Sequence, residues 1–206
     1  MSNYKTEQES FWAGEFGNDY IGRNQGESSI ASDTAFFSRI LSSTRSVSSV
    51  LEFGANIGLN LEAIKRLLPN AKLSAIEINS KAIETLKNIK DIEIHHTSIL
   101  EFKPAKKVNL SLIKGVLIHI NPDELQKVYE LLYESSDRYI CVAEYYNPSP
   151  VQVKYRGHDA RLFKRDFAGE ILDKYKDLKL VDYGFAYHRD NNFPQDDVTW
   201  FLMEKQ

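Results

Sequence analysis

The sequence predicts an α/β fold built around one mostly parallel β-sheet with helices on both of its faces. Three observations predict this class. Strand-like and helix-like segments alternate from residue 47 onward, which is typical of parallel βαβ units. The predicted strands at 108–113 and 139–143 are nearly continuous apolar runs, as expected for strands buried on both faces. The length of 206 residues fits one domain whose core needs no disulfide or metal.

The individual elements follow from apolar spacing and from helix and turn signals. Asn121 and Pro122 are typical of a helix start, where Asn caps the first turn and Pro occupies it. The predicted strands cover residues 47–53, 71–78, 92–95, 108–113, 138–143, 178–187 and 198–203. The predicted helices cover residues 57–68, 80–88, 122–132 and 163–175. A loop is expected over 147–160, and Tyr155, Arg156, His158 and Arg161 in this region after the fifth predicted strand are candidate donors for an anionic ligand.

The two ends of the chain depart from the regular alternation. Only residues 189–197 separate the last two predicted strands, so we expect them to form an antiparallel pair at the edge of the sheet. Residues 1–46 precede the first predicted strand and carry aromatic residues at helical spacing. We therefore predict an N-terminal helical cap or lid over 1–46 and a main domain over 47–206.

Composition and charge argue against several kinds of protein. The 26 basic and 29 acidic residues give a net charge of −3, which argues against nucleic acid as a partner. The single cysteine, Cys141, excludes an intramolecular disulfide and a cysteine-rich metal site, and it favours a reducing, cytoplasmic location. No apolar run approaches the roughly 18 residues of a membrane span, and the polar N-terminus does not resemble a signal peptide. We therefore expect neither a membrane partner nor a metal.

A glycine turn is the strongest functional signal in the sequence. The first predicted strand ends at Gly54, and Gly58 opens the next helix. Glycine permits a positive φ and close approach of a ligand, while a helix N-terminus offers unpaired N–H groups. Glu77 lies 19 residues after Gly58 at the end of the second predicted strand, where a carboxylate can accept hydrogen bonds from ribose hydroxyls. A tight turn without any ligand is the alternative interpretation.

The spacing within this turn discriminates between cofactors. A nicotinamide dinucleotide requires Gly-x-Gly-x-x-Gly, and Asn56 occupies the middle position here. The pattern Glu52-x-Gly54-x-x-x-Gly58 instead resembles motif I of the class I S-adenosylmethionine-dependent methyltransferases. This resemblance implies a Rossmann-like seven-stranded sheet whose last strand is antiparallel, and S-adenosyl-L-methionine as the cofactor.

Two later segments extend the resemblance. Residues 96–101 follow the third predicted strand, where the family contacts adenine, and residues 112–120 end the fourth, where the family completes its pocket. The acidic residue usual after the third strand is absent, so Thr97 or Ser98 would serve, with Ile99 against the ring. The resemblance thus implies a cofactor site formed by Phe53, Gly54, Ala55, Asn56, Gly58, Glu77, Ile78, Ser98, Ile99, Lys114 and Gly115.

A more specific resemblance involves residues 8–24, 114–120 and 144–148. Together these stretches are similar to the methyltransferases associated with pseudaminic acid biosynthesis clusters in bacteria. The resemblance implies a small-molecule acceptor, a sugar or nucleotide-sugar of a surface-glycan pathway. In the predicted lid, Tyr20 would stack near the methionine part of the cofactor, and Arg23 with Asn24 would bind its carboxylate end. A protein or RNA methyltransferase and a non-catalytic binding module are the alternatives.

Candidate catalytic residues follow from their positions at strand ends. Methyl transfer is an in-line displacement that depends largely on positioning, and it needs a base only if the acceptor loses a proton. His119 lies just past the fourth predicted strand, and its ordinary pKa is near neutrality, so it is the candidate base. Glu144 and Tyr145 end the fifth predicted strand and are expected on the acceptor side. Ordinary packing is the alternative for all three residues.

Overall fold

A central seven-stranded β-sheet organises the computed structural model, which describes residues 4–22 and 26–206. In the described part of the chain, the strands are β1 (Ser49–Phe53), β2 (Lys72–Glu77), β3 (Ile92–His96), β4 (Val108–Lys114), β5 (Ser136–Glu144), β6 (Val151–Tyr155), β7 (His158–Lys164), β8 (Leu178–Ala186) and β9 (Val198–Lys205). The sheet order is β3-β2-β1-β4-β5-β9-β8. The first five strands pair in parallel, and β9 is antiparallel to both β5 and β8. The prediction of a mostly parallel sheet with an antiparallel last strand is confirmed.

Helices cover both faces of the sheet. They are α1 (Glu7–Ala13), α2 (Glu15–Tyr20), α3 (Glu27–Ser42), α4 (Leu59–Leu67), α5 (Ser80–Leu86), α6 (Leu125–Ser135) and α7 (Phe167–Lys174). One apolar core packs α3, α4 and α5 against the sheet, and a second core packs α6 and α7 against the opposite face. Successive residues of β1 point to opposite faces, so Val50 belongs to the first core and Leu51 to the second. Burial on both faces explains the continuous apolar strands.

The N-terminal region has two different environments. Helix α3 packs into the first core through Phe36, Phe37 and Ile40, which are all buried. Helices α1 and α2 instead lie over the carboxyl ends of the strands, where Asn79 Nδ2 donates to the carbonyl oxygen of Trp12 at 3.0 Å. Within the predicted cap, α1 and α2 therefore cover the strand ends, whereas α3 packs into the first core. The boundary at residue 46 stays a prediction.

The segment predicted as a loop over 147–160 contains a β-hairpin. Strands β6 and β7 form a separate two-stranded antiparallel sheet. Its turn has positive φ at both Arg156 and Gly157, 49° and 90°, as two-residue hairpin turns require. The helix predicted from residue 163 begins at Phe167, because Asp166 accepts a hydrogen bond from the N–H of Gly169 and caps it. Phe163 belongs to β7.

The described ranges contain no helix that is both long enough and apolar enough to span a bilayer.

Candidate functional site

A cavity of about 780 Å³ lies at the carboxyl edge of the sheet. The segments that follow β1 to β5 all contribute to its wall, and α1 and α2 cover it. This is the edge at which open α/β sheets bind ligands, and the volume suits a cofactor together with a second small molecule. The cavity has two ends: one beside the β1, β2 and β3 turns, and one beside the β6–β7 hairpin.

The glycine turn after β1 is held against β2. The N–H groups of Gly54 and Ala55 both donate to the carbonyl oxygen of Ile76, at 2.9 and 3.0 Å. Gly54 has a φ of 76°, and a Cβ built on it would lie 2.7 Å from Val116. Because a side chain would be strained and crowded there, the turn brings bare backbone to the cavity wall. Gly54, Ala55 and Asn56 all line the cavity, as the sequence predicts.

Two residues predicted to contact the cofactor lie behind this wall. Phe53 is fully buried in the second core. Gly58 has a φ of 87° at the start of α4, and an added Cβ would collide with Leu86 and Ile89. Neither residue lines the cavity, and each supports the turn by packing. Direct contact of either residue with a ligand stays a prediction.

Glu77 connects the turns after β1 and β2. Its Oε2 accepts from the N–H of Asn56 and its Oε1 from the N–H of Asn79, each at 2.7 Å. Its carboxylate is buried on the cavity wall, and burial raises its pKa above the ordinary value. The N–H of Ile78 is a third backbone donor to this carboxylate, which leaves a lone-pair position that a ligand hydroxyl can use. Contact of Glu77 with a ribose stays a prediction.

The segment after β3 forms the far side of this end of the cavity. Ile78, Ser98 and Ile99 all line it, as predicted. The Ser98 hydroxyl accepts from the N–H of Leu100 at 3.0 Å and caps a short 3-10 turn over Ile99–Glu101. The same hydroxyl donates to the carboxylate of Glu9 on α1. Glu9 also lines the cavity, and the sequence did not identify it as a site residue. The only local signal is Thr6-x-x-Glu9, which matches the capping-box pattern of a helix start.

Lys114 is fixed on the wall by a buried polar chain. Its Nζ donates to Asp33 Oδ1 at 2.7 Å and to Asn60 Oδ1 at 3.0 Å. Asn60 in turn donates to Oε1 of the buried Glu52 at 2.6 Å, and burial raises the pKa of Glu52 to about 8. Lys114 and Gly115 line the cavity as predicted. No local pattern marks Asp33 or Asn60, which reach the site through tertiary contacts.

His119 lies in a 3-10 turn after β4, at the other end of the cavity. Its Nδ1 donates to the carbonyl oxygen of Arg161 at 2.6 Å, so Nε2 carries the lone pair. Its ring packs on Trp12 and Tyr155, with centroid distances of 4.6 and 4.8 Å. Burial lowers its pKa to about 4. The ring therefore does not keep its ordinary near-neutral pKa, and His119 is an uncharged hydrogen-bond acceptor at physiological pH. Its role as a base stays a prediction.

Glu144 and Tyr145 have separate positions. Glu144 Oε1 accepts from the N–H groups of Val116 and Leu117, both at 2.9 Å, and burial raises its pKa to about 7. Its side chain does not line the cavity and instead positions the segment that carries His119. Its placement on the acceptor side stays a prediction. Tyr145 does line the cavity, and burial raises its pKa.

The lid residues are described in part. Tyr20 lines the cavity and packs edge-on against Trp12 at 5.2 Å. Trp12 also lines the cavity. Its helical spacing in the sequence did not distinguish a residue of the cavity wall from one that only packs on the domain. Arg23 and Asn24 lie outside the described residues. Within the described ranges, no group of three His, Cys, Asp or Glu side chains could hold a metal ion.

Comparison with known proteins identifies similar folds at low sequence identity. No protein-family model matches the sequence, and no curated protein is significantly similar to it. The plantazolicin methyltransferase BpumL with S-adenosylhomocysteine has a TM-score of 0.67 and 16% identity, over 97% of this chain and 94% of that chain. The Burkholderia thailandensis 1,6-didemethyltoxoflavin-N1-methyltransferase has a TM-score of 0.70 and 12% identity, over 96% and 87%.

A third structure has full coverage. The magnesium protoporphyrin IX methyltransferase of Synechocystis, with S-adenosylmethionine bound, has a TM-score of 0.66 and 11% identity, over 100% of both chains. This chain therefore has the Rossmann-like methyltransferase fold, which the glycine turn and the order of elements predict.

Proposed function

We propose that this protein is an S-adenosylmethionine-dependent methyltransferase that acts on a small molecule. One observation carries the proposal: a single cavity joins a backbone turn and a ribose-type carboxylate at one end to an aromatic compartment with a neutral histidine at the other. Solved proteins with this fold bind S-adenosylmethionine or S-adenosylhomocysteine, which supports the cofactor.

The residues at the first end fit this cofactor. The crowded Gly54 keeps backbone at the wall, Glu77 accepts from ribose hydroxyls, and Ile78 with Ile99 contacts a flat base. In this proposal Lys114, Gly115 and Tyr20, which all line the cavity, contact the methionine end. The cofactor, when bound, supplies a methyl group that is already activated as a sulfonium, so the chain needs to position the acceptor rather than activate the leaving group.

The second end fits an acceptor that carries an O–H or N–H group. His119 Nε2 accepts that hydrogen and so orients the nucleophilic atom. Trp12, Tyr145 and Tyr155 surround this end and exclude water. Because burial keeps His119 uncharged, its Nε2 lone pair orients the acceptor and takes the proton that the acceptor loses during transfer. The low pKa of the ring then releases this proton to water.

The acceptor in this proposal is a sugar or nucleotide-sugar of a bacterial surface-glycan pathway of the pseudaminic acid type. The similarity of residues 8–24, 114–120 and 144–148 to methyltransferases from such clusters supports it. Aromatic rings beside the polar groups of Asn121, Gln195 and Asp196 also suit the mixed apolar and polar surface of a sugar. In this proposal α1 and α2 act as the lid, and the buried Cys141 suits the reducing cytoplasm.

Two measurements test the proposal. Isothermal titration should give saturable binding of S-adenosylmethionine and S-adenosylhomocysteine. Absence of binding at millimolar concentration would contradict both the enzyme and the non-catalytic binding module. An assay of released S-adenosylhomocysteine should then detect turnover with activated nonulosonic-acid-type sugars. Turnover with peptide or RNA alone would replace the small-molecule acceptor, and binding without turnover on any acceptor would favour the binding module.

A further inference from the structure

The carboxylate of Glu9 is held as a hydrogen-bond acceptor inside the cavity. Glu9 lies on α1, yet only 8% of it is exposed. The Thr6 N–H and hydroxyl donate to Oε2 at 2.9 and 3.2 Å, and the Ser98 hydroxyl donates to Oε1. Three donors fix the orientation of the carboxylate, and its oxygens retain lone-pair positions for a further donor. The fixed group therefore selects a ligand that offers an N–H or O–H.

Glu9 faces the part of the cavity next to Glu77. Ile78 directly follows Glu77, and Ile99 lies across the cavity wall beside Ser98. These two branched side chains and Glu9 all line the cavity, and the hydrogen bond from Ser98 places the Glu9 carboxylate beside the segment that carries Ile99. A ribose on Glu77 places its base in this compartment. The segment after β3 presents Thr97 and Ser98 there, so α1 brings in the carboxylate that this segment itself lacks.

We infer that Glu9 reads the base of the bound nucleoside by accepting a hydrogen bond from the exocyclic amino group of adenine. The inference rests on the proposed function and assigns the specificity for adenine to the N-terminal cap. A base with a carbonyl oxygen at the same position places an acceptor against a carboxylate, which is unfavourable. Binding of the nucleoside also stabilises the position of α1, because Glu9 belongs to α1 and contacts the base.

The sharpest test compares S-adenosylhomocysteine with S-inosylhomocysteine, which differs by an oxygen in place of the amino group. Isothermal titration of the full chain should show roughly 10- to 100-fold tighter binding of the adenosyl compound, the range for a hydrogen bond to a charged group. In Glu9→Ala and Glu9→Gln we expect the two dissociation constants to approach within about threefold. The loss should fall on the adenosyl compound.

Two controls separate base recognition from structural damage. Thr6→Ala removes the cap of α1 but keeps the Glu9 carboxylate, so both ligands should weaken together and their ratio should hold. Glu15→Ala removes the same charge from an exposed position on α2 and should leave both dissociation constants unchanged.

Each outcome has one meaning. If the wild-type chain binds neither compound, the proposed function fails and this inference falls with it. If the chain binds the adenosyl compound but Glu9→Ala weakens both ligands equally, only the inference is wrong. Absence of any preference in the wild-type chain contradicts the inference in the same way.

Discussion

The two ends of the cavity are built differently. At the cofactor end, backbone turns that directly follow β1, β2 and β3 form most of the wall. At the acceptor end, side chains meet from distant parts of the chain: Trp12 from α1, His119 after β4 and Tyr155 from β6. The first end is formed mostly by the sheet, with Glu9 and Tyr20 added from the cap, whereas the second depends more strongly on how the cap and hairpin dock on the sheet. The difference predicts that substitutions at the acceptor end should have little effect on cofactor binding, and that substitutions at the cofactor end should leave the acceptor end intact.

The largest expected effect separates the ends by function. His119→Ala should lower kcat by roughly 10²- to 10⁴-fold, the range for removal of a group that contacts the reacting proton. The dissociation constant of S-adenosylhomocysteine should change by less than about threefold, because His119 lies away from the cofactor end. His95→Ala, on the sheet edge strand β3, serves as the control. Unchanged turnover would assign His119 to packing.

A second large effect appears in stability as a function of pH. The pKa of His119 is about 4 in the fold against an ordinary value of 6.5, so the unfolded chain binds the extra proton between these values. The stability from the neutral ring is fully present above pH 6.5 and is lost as the pH falls toward 4, by about 3 kcal/mol. Denaturant unfolding of wild type and His119→Asn between pH 4 and 8 measures it. A pH-independent difference between the two proteins would contradict the burial of an uncharged ring.

At the cofactor end, Glu77→Ala should weaken S-adenosylhomocysteine by roughly 1–3 kcal/mol, since the ribose hydroxyls lose a charged acceptor. The variant also leaves the N–H groups of Asn56 and Asn79 without their partner, so circular dichroism and a thermal melt should accompany the titration. Glu93→Ala on neighbouring β3, an exposed carboxylate, is the control. A dissociation constant equal to that of wild type would remove Glu77 from the ribose site.

The smallest expected effect on turnover concerns Glu144, which holds the segment between β4 and His119. Glu144→Gln keeps an oxygen for the N–H groups of Val116 and Leu117, so turnover should stay within about threefold of wild type. Glu144→Ala should lower the free energy of unfolding by roughly 1–3 kcal/mol for each N–H left buried and unpaired. A large loss of turnover in the Gln variant, with stability retained, would instead make Glu144 a proton-transfer group.

The same contrast explains how far the sequence predicts the molecule. The sheet, its antiparallel edge and the Gly54–Glu77 arrangement follow from periodicity, turn glycines and strand ends, which are local signals. The contacts of Glu9 with Ser98 and of Lys114 with Asp33 span 89 and 81 residues, and no local pattern encodes them. The lowered pKa of His119 depends on burial by Trp12 and Tyr155, which exists only in the folded chain.

The hairpin shows a different obstacle to prediction. Val151 and Val153 of β6 are exposed, 40% and 38%. Apolar residues at alternate positions normally indicate a strand with one buried face, but here these side chains do not pack into a core. Phe163 and Phe167 are spaced by four residues and suggest one helix, yet β7 ends at Lys164 and Asp166 caps the start of α7 between them. Turn chemistry at Arg156 and Asp166, rather than hydrophobicity, decides the structure here.

The β6–β7 hairpin pairs outside the seven-stranded sheet, yet Tyr155 from it forms part of the cavity wall. Substitutions at the exposed β6 residues 151–154 alter no hydrogen bond of the main sheet. Strand β7 has less freedom, because the Arg161 carbonyl holds His119 and Leu162 is buried in the second core. For the function proposed above, the exposed part of β6 is therefore the segment of the hairpin to vary when a different acceptor is wanted.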